Sequence, residues 1–418
     1  MQLHLGENSI MALETLRNHK VRSMLTVLGV VIGITTVISV ASLLVGLDRD
    51  VQESLNEFGA NTLFIFKFEP GFHFGRLSTE QRMRKPLTLE DAMAIKEFCP
   101  AVQEVSVQVF PRVGQRGGPL PPDARYKGHE SDTNYFGAIT SYEEVENVRI
   151  TKGRFFSESE DLHRAELVVI GYDLNRALFP EEDGMGKTIL IGGHSYQVIG
   201  ILAKRKASFL TGDGNDKQAI VPYRTYRKNH PNDDEHFIAA KAFPGQKAIA
   251  EDEVRGILRQ RRRVAFAKPD NFGISSAEQI ADQFRQITSS VALLTIVISS
   301  IGLLVGGVGV MNIMLMSVTE RTREIGVRKA LGARKRDIAW QFLTEAMTLT
   351  GTGGVIGVLF GVAISVVINQ FLPSLPSVVP PWAIITGVLV SMSVGLFFGM
   401  YPAMKAAQLD PIDALRYE

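Results

Sequence analysis

Residues 307–346 read GVGVMNIMLMSVTERTREIGVRKALGARKRDIAWQFLTEA, an uncharged run that meets a dense run of charge and then becomes apolar again. Between Glu320 and Glu345 there are seven basic residues and four acidic ones. Cytoplasmic loops between membrane helices carry an excess of Lys and Arg. The stretch therefore predicts a short cytoplasmic loop, residues 320–345, that joins two membrane helices.

The charged loop has a helical pattern of its own. Residues 320–331 are helix-forming and contain no proline, Gly332 supplies a break, and residues 333–344 resume a helical pattern. Two interpretations of this short helix remain open at this point. It is either an anchor on anionic lipid, where each Lys or Arg contributes about 1 kcal/mol, or an element that docks on a cytoplasmic partner.

Four uncharged runs are long enough to cross a membrane. The first, residues 23–47, has 25 residues and would extend about 37 Å as a helix, against about 30 Å of hydrocarbon. The others are residues 286–319, 346–370 and 382–404, and the proline-rich segment 371–381 forms an external loop between the last two. We expect four transmembrane α-helices.

Basic residues before the first run place the N-terminus in the cytoplasm. A cleaved signal peptide is the rival interpretation, but its apolar core spans only about 7–15 residues. Four crossings return the tail, residues 405–418, to the cytoplasm, so we expect a multi-pass protein of the cell (inner) membrane. Residues 1–22 have the spacing of an amphipathic helix, which lies on the cytoplasmic membrane surface or packs on the bundle.

Residues 48–285 differ in composition from the rest, being polar with proline and glycine turns and short β-rich runs. We expect a large α+β extracytoplasmic domain, of one or two subdomains, inserted between membrane helices 1 and 2, with helical stalk ends that continue those helices. We predict strands at 62–68, 102–110, 124–129, 166–171, 188–193, 196–202, 219–223 and 237–243, and helices at 87–98, 172–178 and 248–262. The two strands at 188–202 form a hairpin around His194 and Ser195, and GQRGGPLPPD at 114–123 is a loop.

Composition and motifs exclude several classes of site. A net charge of +1 gives no sign of nucleic-acid binding, and the single cysteine, Cys99, cannot form an intrachain disulfide. The histidines show no metal-ligand spacing. The segment DGMGKT, residues 183–188, lacks the first glycine of a phosphate-binding loop. We expect no metal site, no catalytic residues and no nucleotide site on this chain.

The sequence TERTREIGVRKALGAR (319–334), preceded by GGVGVMNIMLMSV, resembles the signature loop of the FtsX-like permeases of the MacB type, which are membrane subunits of ABC transporters. The first membrane segment, the closing DPIDALRYE and the overall layout agree with the resemblance. Many MacB proteins carry their ATPase fused ahead of the first membrane helix. Because this sequence begins almost at that helix, we expect the ATPase to be a separate polypeptide.

The resemblance implies a non-enzymatic subunit that acts as a homodimer with a separate ABC ATP-binding subunit, which holds ATP and Mg²⁺. A periplasmic adaptor is a further possible partner. In similar proteins, ATP-driven closure moves the coupling helix, and the movement reaches the external domain through the stalk. The ATPase-coupling residues implied here are Glu320, Arg321, Thr322, Arg323, Glu324, Gly326, Arg328, Lys329 and Gly332.

Small residues recur at four-residue spacing in the membrane runs, a pattern that lets helix backbones approach closely within a bundle or across a dimer. The candidate helix-packing residues are Gly29, Gly33, Gly302, Gly306, Gly353, Gly357, Gly361, Gly395 and Gly399. The same runs contain no charge, which argues against an ion-driven carrier with a site at the membrane midplane.

Three functions follow from the resemblance. The first is export of a peptide, drug or lipid-linked cargo. The second is release of lipoproteins from the outer leaflet. The third is a non-transport role, mechanotransmission of ATPase motion to an external enzyme or sensor.

Overall fold

A computed structural model describes residues 20–57, 59, 61–68, 83–111, 123–204, 215–372 and 375–416. The helices are α1 (Lys20–Glu57), α2 (Leu89–Phe98), α3 (Tyr142–Val145), α4 (Glu158–Leu162), α5 (Tyr172–Leu178), α6 (Tyr223–Asn229), α7 (Lys247–Arg261), α8 (Ala277–Glu320), α9 (Thr322–Ala330), α10 (Lys335–Phe371), α11 (Pro381–Gln408) and α12 (Pro411–Arg416). The strands are β1 (Thr62–Phe66), β2 (Val102–Phe110), β3 (Asp123–Tyr126), β4 (His129–Asp132), β5 (Asn134–Ala138), β6 (Ile150–Gly153), β7 (Leu167–Ile170), β8 (Thr188–Ile191), β9 (His194–Leu202), β10 (Gln218–Pro222), β11 (Glu235–Ala242) and β12 (Gly273–Ser276). The predicted amphipathic helix at 1–22 falls almost entirely outside the described residues, as does the predicted loop at 114–123.

The chain forms two compact units. One is Arg49–Arg285, and the other combines the chain up to Asp48 with Gln286–Glu418. We call them the inserted domain and the membrane unit. Within the described residues, four helices are long and apolar enough to cross a membrane, namely Val27–Leu55 of α1, α8, α10 and α11.

Many large apolar side chains of these four helices point outward. Leu359 and Phe397 are examples, with exposed fractions of 64% and 73%. Soluble proteins rarely expose apolar surface on this scale, whereas lipid is the natural solvent for it. The chain is therefore a multi-pass membrane protein.

The two long helices that flank the inserted domain have polar ends. After its uncharged run, α1 continues to Glu57, and the Arg49–Glu53 ion pair lies one turn apart on this extension. Ser276 and Gln279 form a capping box at the start of α8, in which the Gln279 amide donates to the Ser276 hydroxyl and the Ser276 amide donates to the Gln279 side chain. The cap explains why α8 begins directly after β12.

The inserted domain is built on one sheet of 12 strands in the order β12-β1-β11-β2-β5-β10-β7-β9-β8-β3-β4, with β6 also paired to β9. Two pairs are parallel, β5 with β10 and β7 with β9. The centre of the sheet is buried on both faces, as the alternation in β10 shows. Ala219 and Val221 join the core beneath the helices α2, α5 and α7, whereas Ile220 joins a second core with Phe136 and Phe156 on the opposite face.

Several strand predictions need correction. The predicted strand at 124–129 is two strands, because Lys127 and Gly128 adopt positive φ (43° and 92°) and turn β3 into β4. The hairpin turn lies at Gly192 and Gly193, not at His194 and Ser195, since both glycines have positive φ (56° and 86°) as a two-residue turn requires. A further set of strands, β5, β6 and β12, was not predicted. The described strands of the inserted domain form one continuous sheet.

Candidate functional site

The predicted loop helix is α9, which begins directly after α8. The Thr322 hydroxyl donates back to the carbonyls of Val318 (3.0 Å) and Thr319 (2.8 Å). This bonding within the last turn accompanies a short interruption at Arg321, whose backbone (φ −99°, ψ 16°) leaves the helical region. The chain therefore changes helix without an intervening loop.

The end of α9 is a Schellman motif centred on Gly332. Gly332 has φ +96°, its amide donates to the carbonyl of Lys329 (3.0 Å), and the Ala333 amide donates to that of Arg328 (3.1 Å). Glycine adopts this left-handed conformation without a steric penalty. The Arg334 amide then donates to the Asp337 carboxylate (3.1 Å), which caps the start of α10.

The inner side of α9 is apolar and fully buried. Ile325 lies in a cluster whose other members come from α8, α10 and α11. The members are Val310, Met314, Val318, Ile325, Ile338, Phe342, Ala346, Leu349, Ala403 and Ala406. Burial of one such isoleucine contributes about 1.5–3 kcal/mol, so α9 is packed against the membrane helices and does not stand free.

Two arginines connect α9 and its start to α10. Arg321 Nη1 lies 3.4 Å from Glu345 Oε2, and the Glu345 side chain is only 7% exposed. Arg328 donates to the Gln341 side chain (2.8 Å) and, one turn back on its own helix, to Glu324 (2.5 Å). The buried Glu345 carboxylate holds Arg321 in a fixed geometry because an unpaired buried charge is costly, whereas the contacts of Arg328 are partly exposed.

Lys329 connects α9 to α11. Its Nζ donates to the backbone carbonyls of Ala407 (2.7 Å) and Leu409 (2.6 Å). Desolvation by burial is the main cause that lowers the pKa of Lys329, followed by the nearby Lys335, while Asp410 acts in the opposite direction. The short helix α12 also packs against α9, so the C-terminal segment belongs to the same assembly.

The outer side of α9 combines a cation with apolar side chains. Arg323 is exposed, and among the described residues it makes no hydrogen bond or ion pair. Val327 and Leu331, one turn apart, have exposed fractions of 43% and 84%. We call Arg323, Val327 and Leu331 the outer face of α9. An exposed cation beside apolar side chains is typical of a surface that docks on another protein.

The structure thus sorts the predicted coupling residues into two groups. Arg323, Glu324 and Glu320 are exposed, although Glu324 also accepts a hydrogen bond from Arg328, whereas the remaining ones are at least partly buried or lie at the turn. Those remaining residues are Arg321, Thr322, Gly326, Arg328, Lys329 and Gly332.

Sequence reasoning missed Gln341, Glu345, Val327 and Leu331 as members of this site. The one available signal was the helical spacing of Val327 and Leu331, which places both on the side opposite Ile325.

The predicted helix-packing glycines lie at contacts between membrane helices. A Cβ on Gly29 would lie 3.0 Å from the Gly306 Cα, and one on Gly306 would lie 3.0 Å from the Val30 amide nitrogen, so α1 and α8 approach closely. Gly353, Gly357 and Gly361 of α10 face Val27, Ile34 and Ile38 of α1, Gly33 faces Leu303, and Gly395 and Gly399 of α11 face Ala346 of α10. Gly302 has more room, with its nearest neighbours 4.0 Å away.

His236 and Cys99 of the inserted domain both pack within the folded chain. A hydrogen bond joins the Tyr223 hydroxyl to Nε2 of His236 (2.8 Å). Nδ1 of the same ring lies 3.0 Å from the Asp234 carbonyl oxygen. Cys99 is buried. Within the residues described, no group of three or more His, Cys, Asp or Glu side chains is arranged to hold a metal ion.

Family comparisons match both parts of the chain. The family model of the MacB-like periplasmic core domain matches residues 23–257. That of the FtsX-like permease C-terminal matches residues 296–411, which include α9 and the three membrane helices after the inserted domain. The chain belongs to the MacB/FtsX family of ABC transporter permeases.

Similar proteins extend over the whole permease. The uncharacterized ABC transporter permease YvrN of Bacillus subtilis (strain 168) is 33% identical over 99% of this chain and 100% of its own length. The macrolide export ATP-binding/permease protein MacB of Bdellovibrio bacteriovorus is 33% identical over 97% of this chain. This chain spans 61% of the length of that MacB protein.

Among solved structures, the periplasmic region of MacB from Actinobacillus actinomycetemcomitans covers 56% of this chain and 97% of its own, with a TM-score of 0.44 at 19% identity. The extracellular domain of the ABC-type transporter YknZ from Gram-positive bacteria covers 51% of this chain with a TM-score of 0.40.

Proposed function

We propose that this MacB/FtsX-type permease transmits the ATP-driven motion of a separate ABC ATP-binding subunit to its inserted domain, for export of a peptide, drug or lipid-linked cargo. The subunit acts as a homodimer, ATP and Mg²⁺ lie on the partner, and a periplasmic adaptor continues the route. Both chain termini lie in the cytoplasm of a cell whose inner membrane holds the protein. One of the similar proteins is named a macrolide export ATP-binding/permease protein, and this name supports export as the first choice.

The observation that supports the coupling role is the two-sided character of α9. Its inner side is packed and bonded to three membrane helices, and its outer face presents Arg323, Val327 and Leu331. A force applied to the outer face therefore meets a helix that cannot shift alone. Coupling between distant sites can be carried by rigid secondary elements that shift between discrete arrangements, and we assign this role to α9, which contacts the ends of three membrane helices.

The membrane helices themselves offer little to a cargo that needs polar recognition. Residues 346–404 contain no charged side chain. Hydroxyl groups of the membrane helices donate to carbonyls of their own helix, as Thr295 does to Val291 (2.8 Å), or of a neighbouring helix, as Thr35 does to Gly357 (3.1 Å). The proposed site of cargo or adaptor contact is therefore the inserted domain, whose surface is polar and large.

The docking role of α9 is tested with Arg323→Glu. The variant reverses the exposed cation without removing an intramolecular bond, so the helix should remain folded. A charge-assisted hydrogen bond contributes about 1.5–3 kcal/mol, so we expect binding of the co-expressed ATP-binding subunit to weaken about 10- to 100-fold. Binding is measured by titration of the ATP-binding subunit onto the permease in nanodiscs, together with ATP hydrolysis.

Arg336→Glu is the matched control, because it makes the same charge change in the same loop at an exposed position outside the outer face. A double Arg323→Glu, Arg328→Glu variant should also abolish coupling while membrane insertion persists. Arg328 contacts Gln341 and Glu324, however, so that variant also perturbs α9 itself. Unchanged binding and hydrolysis in Arg323→Glu would remove the outer face from the mechanism.

A further inference from the structure

The last turn of α11 has backbone acceptors that its own helix cannot satisfy. In a longer helix the Ala407 carbonyl would accept from the amide of residue 411, but residue 411 is proline and has no N–H. The helix ends at Gln408 with Leu409 as its C-cap, and α12 starts afresh with a bond from the Ala414 amide to the Asp410 carbonyl (2.9 Å). Helix C-termini with open carbonyls carry partial negative charge.

Lys329 occupies this position from another part of the chain. Its ammonium donates to both the Ala407 and the Leu409 carbonyl, at 2.7 and 2.6 Å. An ammonium is well suited to a helix C-terminus because it satisfies the open acceptors and opposes the helix dipole. Residues separated by almost 80 positions in sequence therefore form one cap.

The cap completes a set of three attachments of α9. The first is to α8, through the chain itself and the Thr322 hydroxyl. The second is to α10, through Arg328 and Gln341 and through Arg321 and Glu345. The third is to α11, through Lys329. Apolar packing surrounds all three.

We propose that Lys329 is a positioning residue that makes the end of α11 move together with α9. The movement itself rests on the proposed coupling function, whereas the attachment does not. A force on α9 then reaches three membrane helices at once. Without Lys329, α9 would still follow α8 and α10, whereas α11 would be joined to α9 only by apolar packing and by way of α12, which follows α11 in the chain and packs against α9.

The attachment is tested without any partner. Spin labels are placed at Ala330→Cys on α9 and Met404→Cys on α11, both exposed positions, in a Cys99→Ala background in nanodiscs. We expect a narrow distance distribution with the native lysine, a broader one in Lys329→Met, and recovery in Lys329→Arg, which can still donate to two carbonyls. Lys335→Met is the control for loss of a nearby charge. A distribution in Lys329→Met as narrow as with the native lysine would overturn the proposal.

The movement is tested with the ATP-binding subunit bound. Labels at Trp340→Cys on α10 and Met404→Cys on α11 report whether α11 shifts when ATP and vanadate trap the closed state. We expect a shift in the native background and in Lys329→Arg, and its loss in Lys329→Met while the partner still binds and hydrolyses ATP. A purely structural cap would lower stability but leave the shift intact, and that result would overturn the inference.

The two proposals fail in different ways. If the proposed docking role is wrong, Arg323→Glu binds the ATP-binding subunit as tightly as the native protein does. If docking succeeds but the native protein shows no shift between α10 and α11, the docking role stands and the positioning role of Lys329 is overturned.

Discussion

Gly395 and Gly302 share one sequence signal, a small residue with another four positions away, but their surroundings differ. A Cβ on Gly395 would lie 2.7 Å from the backbone carbonyl oxygen of Ala346, which cannot rotate away. A Cβ on Gly302 would have its nearest neighbours at 4.0 Å. The spacing alone therefore identifies candidate contacts, and the neighbouring backbone decides which of them exclude a methyl group.

We predict that Gly395→Ala destabilises the membrane unit by about 1–3 kcal/mol, the usual cost of overpacking, whereas Gly302→Ala is tolerated. Thermal unfolding in detergent measures the difference, and the fluorescence of Trp340 and Trp382 reports on the membrane unit, which contains both tryptophans of the chain. For a unit of this size, each kcal/mol corresponds to about 2–4 °C in Tm. Equal Tm values for the two variants would contradict the packing argument.

Among the elements, β11 and the C-terminal end of α6 contain two half-buried histidines, His236 and His230, with a predictable response to acid. Burial is the main cause that lowers the pKa of His236, with a smaller contribution from Arg227 in the same direction, against the opposing hydrogen bond to Asp234. Burial likewise lowers the pKa of His230. The folded domain therefore holds these rings neutral at a pH where the unfolded chain, with histidine pKa values near 6.5, already binds protons.

Proton linkage gives the direction in which the stability of the inserted domain changes with pH. Where the unfolded state binds more protons, stability falls as the pH falls. We predict that the inserted domain loses stability as the pH drops below about 6.5, and that His236→Gln reduces this slope. Hydrogen exchange of peptides from α6 and β11 in the full chain, at pH 7.5 and 5.5 after correction for the intrinsic rate, provides the measurement. His129→Gln, on the exposed edge strand β4, is the control; identical slopes for both variants would show that His236 is not responsible.

Element-scale prediction succeeded where a signal is local. The break after α9 was predicted at Gly332, and the structure places the left-handed turn there. Strand β2 has the predicted bounds, 102–110, and Val105, Val107 and Val109 supply the alternating β-branched pattern in its centre. The strand predicted at 124–129 was wrong, since the turn begins at Lys127, a residue type that is uncommon at positive φ, and Gly128 beside it was not recognised as a turn signal.

For the whole molecule, the arrangement of membrane helices predicts that the inserted domain and the loop containing α9 face opposite sides of the lipid. Phe266, with an exposed fraction of 100%, and Leu331, with 84%, are suitable reporter positions on the two regions. Native Cys99 gives little background, because it is 1% exposed and because burial, with a smaller contribution from Glu253, raises its thiol pKa to about 11. A thiol in that state is mostly protonated and unreactive at neutral pH.

We predict that a membrane-impermeant maleimide labels Phe266→Cys in intact cells, and that Leu331→Cys becomes labelled only after the membrane is permeabilised. Gel-shift labelling measures the labelled fraction of each variant, before and after permeabilisation, with the unmodified chain as background. Labelling of both positions in intact cells would show that the two regions share one side and would refute the four-crossing topology.

The sequence by itself determined the membrane helices, the polar domain between them, and the short helix with its glycine stop, because absence of charge, charge bias and glycine placement act within a few neighbouring residues. Only the tertiary structure decided that one sheet of 12 strands forms the inserted domain, which glycines meet which helices, and that Lys329 caps α11. These features join residues far apart in the chain. Nothing in the sequence near Lys329 records that Pro411 leaves a carbonyl open, so the partner of the lysine becomes visible only when α9 and α11 are packed together.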